Sequence, residues 1–189
     1  MATNENTLQG KTIAFMMANE GVEQIELTEP WRAVEEAGGR PQLIAPDGNK
    51  KVQAFNHLDK ADTFSVDMAT SEANPGDFDG LVLPGGVANP DQLRTDEAAI
   101  RFIQGMFEAK KPVAVICHGP WTLVEAGVLK GRTITSWPSV QTDIRNAGGT
   151  WVDQEVCVDN GLVSSRKPAD LPAFCKKMVE EFAEGTHRR

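Results

Sequence analysis

Apolar and polar positions along this chain alternate between two patterns. Short continuous apolar runs read as buried strands. The longer stretches between them, where apolar residues recur every three or four positions, read as amphipathic helices. Lys11 to Met17 is an apolar run with β-branched content and predicts a first strand. Gly21 opens a helical pattern to Ala37, with Val22, Ile25, Trp31 and Val34 apolar and Gly38-Gly39 ending it. Pro41 to Pro46 predicts a second strand, and Asp47 to Val66 mixes polar and apolar residues around Gly48, as a hairpin or irregular excursion would. Phe78 to Leu83 is another buried strand, stopped by Pro84-Gly85-Gly86. Asp96 to Lys110 is amphipathic, with Ala99, Ile100, Ile103, Met106 and Phe107 on one face. Its acidic first turn and its Lys110-Lys111 end both suit the helix dipole.

The second half repeats the alternation. The Ala114–Ile116 run leads into Cys117, and Trp121 to Ala126 follows as a helix. Arg132 to Ser136 predicts a strand and Val140 to Ala147 a helix. Trp151 to Val158 and Leu162 to Ser165 predict a hairpin turning at Asp159-Asn160-Gly161. Asp170 is placed to cap a last helix, with Pro172 in its first turn and a stripe of Leu171, Phe174, Cys175, Met178 and Phe182. Strands alternating with helices call for an α/β fold: a doubly wound, flavodoxin-like, mostly parallel sheet with helices on both faces. In such folds ligands bind beyond the carboxyl ends of the strands. Both Pro84-Gly85-Gly86 and Cys117 fall at predicted strand ends. With no repeat and no linker, residues 1–189 are expected to form one domain, with flexible ends at 1–10 and 184–189.

Composition narrows the function class. A net charge of −8 argues against a general nucleic-acid surface. No apolar stretch approaches the ~20 residues needed to span a bilayer. The residues from Met1 to Gly10 lack the basic and apolar regions of a signal peptide. Three cysteines do not make a disulfide framework, so a cytoplasmic, reducing location is expected. No cluster has zinc-ligand spacing, so no metal site is expected.

Cys117 is the candidate nucleophile. A cysteine between a strand and a helix sits where helix N–H groups favour negative charge, in the geometry of a nucleophile elbow. The alternative on local pattern is a buried structural thiol. His118 is its neighbour, although adjacent residues on a turn often point apart. His57 lies in the irregular excursion and His187 in the polar tail. Gly85 and Gly86 could offer backbone N–H groups to an oxyanion, together with the His118 amide; a tight turn would need the same glycines. Glu23 and Glu26 lie three apart on the predicted first helix. They read either as dipole-compensating surface acids or, for a partly buried carboxyl near Cys117, as a proton donor to the sulfur. Cys157 and Cys175 read as structural, and the four tryptophans as packing, with Trp121 placed to line the elbow's pocket. Ser164-Ser165-Arg166 reads as an inter-element contact more readily than as an anion site.

Taken together, these segments resemble the PfpI (intracellular protease I) branch of the DJ-1/PfpI superfamily, whose fold is that of the class I glutamine amidotransferases. The resemblance runs from Lys11 to Phe182. It rests on Glu23-Gln24-Ile25-Glu26 with Pro30, Asp79-Gly80-Leu81-Val82-Leu83-Pro84-Gly85-Gly86, and Lys111-Pro112-Val113-Ala114-Val115-Ile116-Cys117-His118-Gly119-Pro120. Asn146-Ala147-Gly148, Asp153-Gln154-Glu155-Val156, Ser164-Ser165-Arg166 and Pro168-Ala169-Asp170-Leu171-Pro172 extend it. It implies Cys117 as nucleophile, Glu26 as the carboxyl that contacts its sulfur, and Gly86 with the His118 amide as the oxyanion site. In that branch an acid from a neighbouring subunit polarises the histidine. Pro90-Asp91 matches its position, with Asp in place of Glu and a loop one residue longer. A homo-oligomer, dimer or hexamer, is implied. The expected function is a cofactor-free, stress-response glyoxalase or deglycase, in which Cys117 adds to methylglyoxal, glyoxal or an early glycation adduct as a hemithioacetal. The alternatives are a cysteine peptidase using Cys117, His118 and Asp91, and a redox sensor or holding chaperone acting through Cys117 oxidation.

Overall fold

A computed structural model describes residues 6–186. Its elements in chain order are β1 (Thr12–Met16), β2 (Glu20–Glu23), α1 (Gln24–Glu36), β3 (Arg40–Ala45), β4 (Val52–Asn56), β5 (Asp59–Phe64), β6 (Met68–Ala69), β7 (Gly80–Leu83), α2 (Ala88–Leu93) and α3 (Glu97–Glu108). After these come β8 (Val113–Ile116), α4 (Pro120–Ala126), β9 (Thr133–Ile134), α5 (Gln141–Asn146), β10 (Thr150–Trp151), β11 (Cys157–Asp159), β12 (Leu162–Ser165) and α6 (Leu171–Glu184).

Seven strands form the central sheet in the order β11-β12-β8-β7-β1-β3-β6. All neighbours are parallel except the β11–β12 hairpin at the edge. The doubly wound expectation holds, and the apolar runs explain themselves. Along β1, Ile13 and Phe15 face one core while Ala14 and Met16 face the other. On β8, Ala114 and Ile116 join the first core, and Val113 and Val115 the second. Strands buried on both faces need no polar alternation. Leu27 and Val34 of α1 and Phe174, Met178 and Phe182 of α6 cover one face. Phe102, Ile103 and Met106 of α3, with Leu123 of α4 and Ile144 of α5, cover the other.

The excursion after β3 resolves into an antiparallel β4–β5 hairpin, which joins β2 in a separate three-stranded sheet. This changes the start of the first helix. Residues 20–23 pair as a strand with β4, so α1 begins at Gln24 and its buried stripe is Glu26, Leu27, Pro30 and Val34. Ile25, expected on the apolar face, is 41% exposed. The predicted long strand from Trp151 is also divided. Thr150–Trp151 pairs parallel with β9, and only Cys157–Asp159 belongs to the terminal hairpin. The short α2, built on Asn89-Pro90, has no counterpart in the periodicity reading.

Leu8 is fully buried and its N–H bonds to the Ala37 carbonyl, just past α1, at 2.8 Å. At the other end α6 continues to Glu184. Asp170 does not cap α6 with its side chain. It accepts instead from the Arg166 backbone and guanidinium at 2.9–3.0 Å. Residues 1–5 and 187–189, the latter including His187, lie outside the described residues.

Candidate active site

β8 ends at Ile116, and Cys117 takes φ +63° before the chain turns into α4. A non-glycine residue in the left-handed region costs on the order of 1–3 kcal/mol and persists only where its surroundings impose it. Here the Cys117 N–H donates to the Ser165 carbonyl at 3.0 Å, and its carbonyl accepts from Trp137 N–H at 2.9 Å. The Ser164-Ser165-Arg166 segment therefore serves as the brace of the elbow. Its arginine is held by Asp170 and Asp153.

The turn brings the two adjacent side chains together. His118 Nδ1 lies 3.2 Å from Cys117 Sγ, and Nε2 lies 3.5 Å from Ser139 Oγ. Trp137 stacks on the imidazole with centroids 5.8 Å apart, and Trp121 packs against it at 5.2 Å. The left-handed backbone at Cys117 is what prevents the divergence expected of neighbours on a turn.

Glu26, in the first turn of α1, is completely buried. Its Oε2 accepts the Gly85 N–H at 2.8 Å, and the carboxyl reaches the Cys117 thiol. Oε1 is buried with no hydrogen-bond partner. Burial, the largest influence, pushes this carboxyl up to about 8, only partly offset by the Gly85 N–H and the Cys117 contact. Glu26 is therefore a carboxylic acid at neutral pH.

Burial likewise raises the Cys117 thiol well above its ordinary range, and a charge on Glu26 would raise it further. The backbone N–H groups of Gly86 and His118 point at the sulfur and oppose the shift. This corrects the expectation of a thiol acidified by its helix: removal from water outweighs the start of a seven-residue helix. His118 is held below the usual imidazole range by burial, and is neutral at pH 7.

Gly85 was expected among the oxyanion donors, but its N–H is committed to Glu26. A Cβ at Gly85 would overlap Glu26 Oε2 and approach Cys117 Cβ at 2.6 Å, so only glycine admits this contact. Gly86 has φ +80° and its N–H faces the sulfur, as an oxyanion donor requires. The loop is fixed by Asn89, which sequence reasoning missed. Asn89 is buried, its Oδ1 accepts from Ala18 N–H at 2.7 Å, and its Nδ2 donates to the Pro84 and Gly85 carbonyls at 3.0 Å. An asparagine just past a Gly-Gly strand end was the available signal.

A cavity of about 910 Å³ opens over Cys117 and His118. Trp121 lines it as expected. Trp137 lines it from the loop after β9, and Phe55 and His57 line it because the β4–β5 hairpin folds over the elbow. Glu23 anchors that hairpin by accepting the His57 N–H at 3.1 Å. Asp91, in the first turn of α2, is exposed on the rim of its own chain's cavity. Cys157 and Cys175 lie outside the cavity lining. Among the described residues no group of His, Cys, Asp and Glu could hold a metal ion, and no helix is long and apolar enough to cross a membrane.

Known proteins resemble this chain along most of its length. The profile of the DJ-1/PfpI family matches residues 11–181. Deglycase PfpI of Pyrococcus furiosus is 43% identical over 168 residues, covering 89% of this chain and 97% of that protein. General stress protein 18 of Bacillus subtilis is 40% identical over 171 residues, covering 90% and 96%. Among solved structures, a two-domain protein of Anabaena variabilis superposes with a TM-score of 0.83 at 31% identity over 90% of this chain. The match spans 47% of that protein, which contains DJ-1/ThiJ/PfpI-like and ferritin-like domains.

Proposed function

The chain belongs to the DJ-1/PfpI family, and from that premise and the geometry around Cys117 we propose that it is a cysteine-dependent deglycase and glyoxalase. Its substrates are methylglyoxal, glyoxal and their early adducts. The observation that carries this reading is a carboxyl, protonated up to about pH 8, buried against the sulfur of a cysteine that also faces two backbone amides. An acid and a neutral imidazole on one nucleophile suit a substrate that must be both attacked and isomerised.

For methylglyoxal the steps balance on residues of the chain. Sγ bonds to the aldehyde carbon as His118 Nδ1 takes the thiol proton. The carbonyl electron pair moves to oxygen beside the Gly86 and His118 amides. His118 returns its proton to that oxygen, completing the hemithioacetal. His118 then removes the hydrogen of the former aldehyde carbon as a proton while Glu26 protonates the neighbouring ketone oxygen, giving an enediol. Loss of the proton on the former aldehyde oxygen to Glu26 and return of the imidazolium proton to the second carbon yield a lactoyl thioester. Water cleaves the thioester through His118, releasing lactate and the thiol. Purified protein with methylglyoxal should form lactate, and Cys117→Ala should abolish it. No lactate and no repair of adducts from the unmodified protein would overturn this reading.

One observation favours a second reading. Among the described residues, no carboxylate meets the His118 ring, whose Nε2 reaches only Ser139. Around it Leu58 is 94% and Val87 57% exposed. A second copy of the chain covering this rim would bury those residues and could bring its own Asp91 to His118, as a peptidase triad would need. Peptide hydrolysis should then vanish both in Asp91→Asn and on dissociation of the oligomer. Hydrolysis surviving both excludes that triad.

A further inference from the structure

A histidine that takes a proton from a thiol must hold a positive charge, and in a catalytic triad a carboxylate on its far nitrogen supports that charge. The edge of the His118 ring has no such support among the described residues. Nδ1 faces Cys117 Sγ, the proton donor itself, at 3.2 Å. Nε2 faces Ser139 Oγ at 3.5 Å, the outer limit of a hydrogen bond. The faces of the ring are better provided. Trp137 stacks on it at 22° with centroids 5.8 Å apart, and Trp121 packs against it at 58° and 5.2 Å. Both separations lie inside the roughly 6 Å at which an indole face attracts a cation.

Both indoles are held through backbone or edge. The Trp137 N–H donates to the Cys117 carbonyl at 2.9 Å, and its carbonyl accepts the Ser136 hydroxyl at 2.8 Å, which ties the stacked ring to the elbow. Trp121, in the first turn of α4, donates its indole N–H to Asp143 Oδ2 on α5 at 2.9 Å. A carboxylate accepting that N–H polarises the indole and deepens the negative potential of its face.

We propose that the faces of Trp121 and Trp137 stabilise the His118 imidazolium, in the role a carboxylate fills in a catalytic triad, and that Asp143 strengthens Trp121 in that role. All three are positioning residues, since they act through His118. That His118 takes the thiol proton rests on the function proposed above; the effect of the rings on its titration does not.

Burial and ring attraction predict opposite signs when a tryptophan is lost. Burial holds His118 below the usual imidazole range, so admitting water should raise its pKa. Loss of a cation-holding face should lower it. The other ionisable groups that face this ring or share its cavity are Cys117, Glu20, Glu23, Glu26, His57 and Asp91, and all of them are retained in the tryptophan variants.

The chain has three histidines. The Cε1–H resonance of His118, assigned with His118→Gln, is followed against pH by NMR on the whole protein. Trp137→Leu and Trp121→Leu keep apolar bulk and remove the ring, and each should lower the His118 pKa by about half a unit or more. Trp137→Phe should restore most of the parent value. Trp137 is 39% exposed, so the fold should tolerate both changes there. Alkylation of Cys117 by iodoacetamide at pH 7 should slow about threefold or more in each leucine variant and recover in Trp137→Phe.

Asp143→Asn keeps an acceptor for the indole but removes the charge. It should lower the pKa in the parent and not in Trp121→Leu; an equal fall in both would mean that Asp143 acts through space and would overturn its part. A pKa that rises or stays constant in both leucine variants would overturn the proposal, because burial alone would then account for His118. So would a fall in Asp91→Asn with none in the leucine variants, which would assign the charge to a carboxylate of a second copy. Methylglyoxal turnover is measured separately: its absence beside the expected shifts strikes the proposed substrate and leaves the role of the rings standing.

Discussion

His118 Nδ1 and Cys117 Sγ lie 3.2 Å apart although the two residues are adjacent in the chain. The contact exists because Cys117 holds φ +63°, which turns both side chains into one cavity. His118 is neutral at pH 7, so it can accept the thiol proton as the sulfur attacks. His118→Ala should lower the rate of lactate formation by about 100-fold or more, the usual worth of a positioned general base. Ser139→Ala, removing a contact already at 3.5 Å, should change it by no more than about threefold. Steady-state kinetics on the two variants distinguishes these outcomes, and equal losses would contradict the assignment.

Glu26 should make stability depend on pH in a defined direction. Its carboxyl is raised from 4.5 to about 8 in the folded chain. The stabilisation this represents is fully present below the unfolded value and is lost as pH rises through about 8. Glu26→Gln keeps an amide in the shape of the protonated acid and cannot ionise. Its stability relative to the parent should therefore improve between pH 5 and 9 by on the order of 3–5 kcal/mol. Urea unfolding of both proteins across that range measures it. A constant difference would mean that Glu26 is ionised at neutral pH.

The same substitution should separate attack from isomerisation. Glu26→Gln still accepts the Gly85 N–H through its amide oxygen, so alkylation of Cys117 should continue. Lactate formation should fall by about 100-fold or more because no proton can be exchanged with the enediol. In the parent, the activity limb set by Glu26 should decline above pH about 8, and the residual activity of the variant should lack it.

Asn89 is a positioning residue whose loss should be felt in both stability and reactivity. Asn89→Leu leaves the Ala18 N–H and the Pro84 carbonyl without their Asn89 partner in a buried site, while the Gly85 carbonyl keeps the Glu23 N–H at 3.4 Å. With a cost of about 1–3 kcal/mol for each buried group left unsatisfied, destabilisation of about 2 kcal/mol or more is expected. Because the Gly85-Gly86 loop shifts, Cys117 alkylation should slow at temperatures where the variant remains folded. Unchanged alkylation would confine Asn89 to a structural role.

Gly85→Ala should be inactive. The added Cβ would overlap Glu26 Oε2 and come within 2.6 Å of Cys117 Cβ, neither of which has room to move in a packed core. Turnover should be lost even where circular dichroism shows a native fold, and full activity would contradict the close approach of Gly85, Glu26 and Cys117.

Much of the fold was legible because a doubly wound sheet writes itself into the chain as apolar runs between amphipathic stretches. Lys11–Met17, Phe78–Leu83 and Ala114–Ile116 could be read as strands since both their faces are buried. Legibility failed where hydrogen bonds between distant segments overrode local pattern. Val22 and Glu23 look like the start of a helix but pair with β4, some thirty residues on. Ile25 was expected inside and Glu26 was left open, whereas the turn of α1 exposes the isoleucine and buries the acid.

The order of residues by itself determined that a cysteine ends a buried strand, that glycines end its neighbour, and that helices alternate with both. These follow from local periodicity and from the few residue types that tolerate a sharp turn. Tertiary structure alone decided the chemistry of the thiol. Folding places Glu26 against Cys117 from ninety residues away, removes both from water so that each holds its proton, and aims the Gly86 and His118 amides at the sulfur. Proton affinity depends on solvent exclusion and on neighbours within a few ångströms, and neither is a property of any single stretch of chain.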